Sequence, residues 1–139
     1  MLFLWIFGNN VEDRLGPILF IFFYLICGLL AFLAQAIADP YSQVPMIGAS
    51  GAVSGVMGAY LILYPKAKVL TLIWIVFFIR LLWLPAYAII LYWAALQILY
   101  QLSTPAAGGG VAYLAHIGGL AAGLLFILMI RGLSKKMRS

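Results

Sequence analysis

Acidic residues are almost missing from this chain: Glu12, Asp13 and Asp39 are the only three in 139 residues. Histidine and cysteine are rarer still, with one of each, His116 and Cys27. A single cysteine excludes an internal disulfide, and its place inside an apolar run reads as a small buried hydrophobe. One histidine, one cysteine and three scattered carboxylates fall short of a usual zinc site, so neither metal nor other cofactor is expected. Charged residues of both signs make up only 8% of the chain, against about a quarter in soluble domains, while 67% are hydrophobic. That balance excludes an ordinary soluble globule. The net charge of +5 does not indicate nucleic acid, because the basic residues are scattered between apolar runs rather than gathered in a patch.

Several of those runs approach the ~20 residues that cross a bilayer, so the expected fold is an all-α polytopic bundle in one domain. Residues 1–8 read as the end of a cut helix, since ~12 Å of helix is too short for a ~30 Å core. The chain is therefore expected to begin within a span, incomplete at its N-terminus. A polar turn, Gly8 to Pro17, follows. Spans are expected over 17–38, 49–64, 85–102 and 111–130, the second short enough to start below the membrane surface. Residues 69–84 are apolar but broken by Arg80 and closed by Pro85, and are read as an interfacial or re-entrant segment, with a full span as the alternative.

Orientation follows from the basic residues. If the turn holding Arg14 is cytoplasmic, alternate crossings put Lys66, Lys68, Arg80, Arg131, Lys135, Lys136 and Arg138 on that same side. The loops at 39–47 and 103–112 carry no basic residue and face outside. A full span over 69–84 would break this agreement.

The second span opens with "GASGAVSG". Glycine costs a helix about 1 kcal/mol relative to alanine, so such a start needs a return in packing or chemistry. Gly48, Gly51, Gly55 and Gly58 fall on one helical face. Gly119 and Gly123 make a small-xxx-small pattern in the last span, which lets two backbones approach closely. His116 lies three residues before Gly119 on the same face, at the outer end of its helix, as Ser50 is of its own. A serine beside an imidazole base is the basic unit of covalent acyl transfer. A histidine in a span can equally serve as helix glue through a backbone carbonyl, and spacing alone leaves both readings open. Glu12 and Asp13 belong to the opposite side, and Asp39 lies in a loop eleven positions before Ser50, so a Ser–His dyad is favoured over a triad. The glycine-rich loop from Thr104 to Val111 is a candidate cover over the site.

These residues resemble the rhomboid family of intramembrane serine proteases over nearly the whole chain. "FGNNVEDRLG" is similar to the end of the family's second helix, "GASGAVSGVMGAY" to its nucleophile helix and "AHIGGLAAG" to its histidine helix. The resemblance implies a rhomboid-like bundle that cleaves transmembrane protein substrates within the lipid bilayer, with Ser50 as nucleophile and His116 as general base. It implies a structural pair from Glu12 and Arg14 on the cytoplasmic side. Gly48 and Gly51 are expected to leave room at the helix start, whose free N–H groups face the oxyanion. Ser54 stands where the family often has an aromatic residue stacked on the histidine, a place Tyr113 or Tyr60 could take. The family's oxyanion histidine and asparagine lie on the cut helix, the asparagine falling immediately before Met1. The expected setting is a bacterial inner membrane with the site opening outward. A non-catalytic chaperone or scaffold on the same fold is the alternative function, and a transporter is disfavoured by the scarcity of polar groups in the spans.

Overall fold

A computed structural model describes residues 1–41, 46, 48–75, 77–103 and 111–136. The first segment is helical well past Gly8. A π-helical stretch over Leu4–Gly8 runs directly into α1 (Asn9–Leu15). The polar turn expected over residues 8–17 is thus mostly helix, because Asn, Glu, Asp and Arg all tolerate helical backbone where one side faces water. The chain breaks at Gly16, whose φ of 81° ends α1 and whose N–H bonds the Glu12 carbonyl at 2.7 Å. Pro17 then starts α2 (Pro17–Ala38) at a position where its missing N–H is not needed.

Three more helices and one hairpin follow. They are α3 (Ser50–Leu63), β1 (Lys68–Ile75), β2 (Phe78–Pro85), α4 (Ala86–Ser103) and α5 (Tyr113–Lys136). Among the described residues, Pro17–Ala38, Ala86–Ser103 and Tyr113–Gly132 are long and apolar enough to cross a membrane. The architecture is the expected helical membrane bundle, with α3 as its centre. Every residue from Ala52 to Tyr60 is buried, although α3 itself spans only ~21 Å. In water such burial would come from large apolar side chains. Between lipid-facing helices it comes from small residues that admit neighbouring backbones.

The glycines show this contact directly. A methyl group on Gly119 would overlap the Gly51 carbonyl, one on Gly123 the Gly55 carbonyl, and one on Gly58 the Leu120 carbonyl. Helix α2 closes the other side, where a methyl on Gly51 would lie 2.6 Å from Ala31 Cβ and one on Gly55 2.5 Å from Cys27 Cβ. Gly48 departs from the expected stripe. It precedes the helix with φ at 115° and has open space where a Cβ would stand, so its role is backbone conformation rather than close packing.

Residues 69–84, expected as an interfacial or re-entrant segment, form an antiparallel hairpin, and the alternative of a full helical span does not hold. Lys68 pairs with Pro85 and the register holds through Ile75 opposite Phe78. The run is rich in β-branched and aromatic residues, and a short apolar run does not by itself separate strand from helix. At the far end of α3 from Ser50, Phe7, Val11, Phe23, Met57 and Ile90 form the large-residue core. There Asn10 Nδ2 donates to Tyr60 Oη at 3.1 Å, and Tyr64 Oη donates to the Asn10 carbonyl at 3.0 Å, tying α1 to α3.

Candidate functional site

Helix α3 begins at Ser50, after an Ala49 that offers no side-chain cap. The first bond of the helix runs from Val53 N–H to the Ala49 carbonyl at 3.0 Å, so the N–H groups of the first turn before it have no intrahelical acceptor. Ser50 is exposed at this end, and its side chain stands beside the first turn of α5. His116 Nε2 lies 2.9 Å from Ser50 Oγ. The glycine interlock of α3 with α5 is what brings the two backbones close enough for this contact. Both residues singled out in the sequence are therefore brought together.

The ring's other nitrogen meets a residue that sequence reasoning passed over. His116 Nδ1 lies 2.8 Å from Gln97 Oε1, and Gln97 is 7% exposed on α4. The amide's Nε2 makes a long contact of 3.5 Å with the Trp93 carbonyl one turn earlier. A carbonyl only accepts, so the amide nitrogen must face Trp93 and the amide oxygen must face the histidine. Nδ1 then carries the ring proton and donates it to Gln97. Nε2 is left with its lone pair toward Ser50, whose hydroxyl donates. This assignment of the protons follows from the contacts that run from the Trp93 carbonyl to Ser50 Oγ, the longest of them the 3.5 Å contact at Trp93.

Trp93 also supplies the aromatic contact. Its ring packs on His116 with centroids 5.6 Å apart and planes tilted by 42°. Neither tyrosine considered for that place takes it: Tyr60 packs on Phe7 at the opposite end of α3, and Tyr113 packs on Tyr100. The available signal was a Trp and a Gln four apart in an apolar helix. A buried amide in such a helix needs a partner, and the lone histidine was the group in need of orientation.

Ser54, one turn below Ser50, is 1% exposed, and its hydroxyl donates to the Ser50 carbonyl at 2.8 Å. Its proton is committed to backbone, so of the two serines only Ser50 presents a hydroxyl to the imidazole. Gly51 lies in the first turn of α3, against Ala31, while Gly119 and Gly123 meet α3 along the interlock. Glu12 and Arg14 sit near the other end of the bundle. Two positions apart on α1, they project to different faces, and no ion pair joins them among the described residues. The loop considered as a cover falls on residues 104–110, outside the described residues. No cluster of three His, Cys, Asp or Glu side chains able to hold a metal occurs among the described residues.

A hydroxyl held by an imidazole, itself oriented by an acceptor and placed beside amides with no intrahelical acceptor, can attack an acyl carbon and shelter the resulting oxyanion. Residues 1–133 match the Rhomboid domain. The chain is 28% identical over 137 residues to Rhomboid protein 1, mitochondrial, of Saccharomyces cerevisiae, an alignment covering 91% of this chain and 35% of that relative. No solved structure matches it.

Proposed function

Since the chain belongs to the rhomboid family, we propose that it forms the catalytic part of an intramembrane serine endopeptidase that cuts transmembrane protein substrates. The observation that carries the reading is the 2.9 Å contact between His116 Nε2 and Ser50 Oγ. In the proposed reaction His116 takes the Ser50 proton as Oγ attacks the scissile carbonyl. The same proton then passes to the leaving amine as the acyl-enzyme forms. Water, activated by His116, hydrolyses the ester and restores Ser50. The N–H groups at the start of α3, with Gly51 among them, face the developing oxyanion.

Gln97 acts through His116 and is a positioning residue. The triad's usual carboxylate is replaced by an amide oxygen that selects the tautomer but adds no negative charge for the imidazolium. Gly48 and Gly51 shape the start of the nucleophile helix, and Gly119 and Gly123 set its distance from the base. Glu12 and Arg14 lie on α1, far from the chemistry. The chain is an integral membrane protein, and the asymmetry of its basic residues supports a site opening away from the Arg14 side. A bacterial inner membrane remains our reading of its setting, on sequence grounds alone. A non-catalytic scaffold has no need of a serine held by an oriented histidine.

The test is active-site labelling. A fluorophosphonate should label the protein in membranes, with labelling and cleavage of a transmembrane substrate both lost in Ser50→Ala and His116→Ala. Undiminished labelling of Ser50→Ala would remove Ser50 as nucleophile.

A further inference from the structure

The hairpin leaves the bundle at the end of α3 opposite Ser50. Its base is fixed, with the Ala86 N–H bonded to the Ala67 carbonyl at 2.7 Å and Val69 packed against the core. Beyond that base the strands reach ~26 Å at the usual rise per residue. The register sets Leu70 opposite Trp83, Leu72 opposite Leu81 and Trp74 opposite Ile79. Opposed residues share a face, so these six lie together, and each is between 48% and 71% exposed. Phe77, at the tip, is 94% exposed. The other face is more mixed: it carries Thr71 and Arg80 beside Leu82, which is 45% exposed, and its Val69, Ile73 and Leu84 are half-buried.

A lone two-stranded ribbon is marginal in water, and one with an open face of large apolar side chains needs a cover. It cannot lie within hydrocarbon, because both outer edges of a two-stranded ribbon present unpaired N–H and C=O groups. The headgroup boundary meets both conditions, burying one face while the edges stay wet. The charges agree with this. Lys66, Lys68 and Arg80 surround the ribbon, and no acidic residue occurs anywhere after Asp39. Tryptophan, found at positions 74 and 83, favours that same boundary. The ribbon also runs straight into α4, a candidate span, on the side that carries the basic residues.

We propose that the β1–β2 hairpin is a membrane-surface paddle, lying flat on the Arg14-side leaflet with its Leu70–Leu72–Leu81–Trp83 face in the acyl boundary and its basic residues on anionic headgroups. The paddle rests on the chain spanning a membrane and not on its being a protease, so either reading can fail while the other stands.

Spin labels report it in the full chain, reconstituted in nanodiscs of phosphatidylcholine and phosphatidylglycerol. Leu70→Cys, Leu72→Cys and Leu81→Cys place labels on one face, Thr71→Cys and Arg80→Cys on the other, while Cys27 is fully buried. The first three should be several-fold more accessible to oxygen than to a water-soluble nickel chelate, and the other two the reverse. Chelate access on both faces would mean that the hairpin stands in water and would overturn the proposal. Protection of the first face from both reagents would assign it to a protein contact, and would equally overturn it. The immersion depth at position 72 should also fall when phosphatidylglycerol is omitted. A Lys66→Gln, Lys68→Gln, Arg80→Gln variant should lose that lipid dependence, and an unchanged dependence would refute the headgroup contact.

Discussion

Replacing Gln97 by leucine keeps its bulk inside α4 and removes the acceptor 2.8 Å from His116 Nδ1. The ring proton then loses its acceptor on the side of the half-buried ring where Trp93 packs. Leaving a donor unsatisfied costs about 1–3 kcal/mol when it is fully buried, an upper bound for this half-buried ring, which escapes the cost by rotating or by adopting the other tautomer. Both escapes turn a proton or the wrong geometry toward Ser50. At ~1.4 kcal/mol per tenfold, the penalty on the reacting form corresponds to roughly 5- to 150-fold in rate. It should stay below the ~10²–10⁴ that a positioned general base contributes altogether. We therefore expect kcat for a transmembrane substrate in proteoliposomes to fall about 10- to 100-fold, with KM nearly unchanged, because Gln97 acts on the base and not on substrate binding. Fluorophosphonate labelling should slow by a similar factor. Gln97→Glu restores an acceptor at the same reach and should recover most of the rate, which a purely packing role would not predict. Thermal unfolding of each variant separates a lost fold from a lost orientation. Wild-type kcat in a folded Gln97→Leu protein would refute the orienting role and leave the Nδ1 contact as incidental.

Ser54→Ala should keep fluorophosphonate labelling within about threefold of wild type, since its hydroxyl is already spent on the Ser50 carbonyl and such local bonds contribute little net. Gly119→Val should lose about 10²-fold or more in turnover, because its side chain collides with the Gly51 carbonyl and a ~1 Å displacement of the base can cost that much. Gly132→Val, with open space around it on the same helix, is the matched control and should retain activity.

The helices and the Ser50–His116 pair were readable in the sequence for a physical reason. A lipid-facing span must be long and apolar, and a close backbone contact must be written in glycine, so each leaves a mark that survives without coordinates. The hairpin was not readable in the same way. Its apolar run alternates between two differently covered faces, and in a membrane protein both faces can be hydrophobic, which erases the period-two signal. The helix through Gly8 was hidden by its polarity, which indicates contact with water and says nothing of backbone shape. Gln97 was hidden by partnership: its role depends on a residue nineteen positions away, and neither residue alone announces the other. Trp93 was missed because the aromatic contact was sought on the helices of the dyad itself, while it comes from α4.

Two kinds of glycine border the nucleophile, and they answer to different symmetries. Gly51 is small because α2 leaves no room for a methyl. Gly48 has all the room it could use, yet its φ of 115° belongs to the mirror half of conformational space. What that position demands is not smallness but the absence of handedness. A residue of D configuration would sit there at ease, whereas even alanine, the smallest chiral residue in the genetic repertoire, would be strained. The chain reverses its sense of winding two residues before Ser50, and a ribosome can write such a reversal cheaply with only one letter. Selection on fit could refill the Gly51 position if α2 moved away. No rearrangement of neighbours would release Gly48, because its constraint lies in the chirality of the polymer rather than in anything it touches.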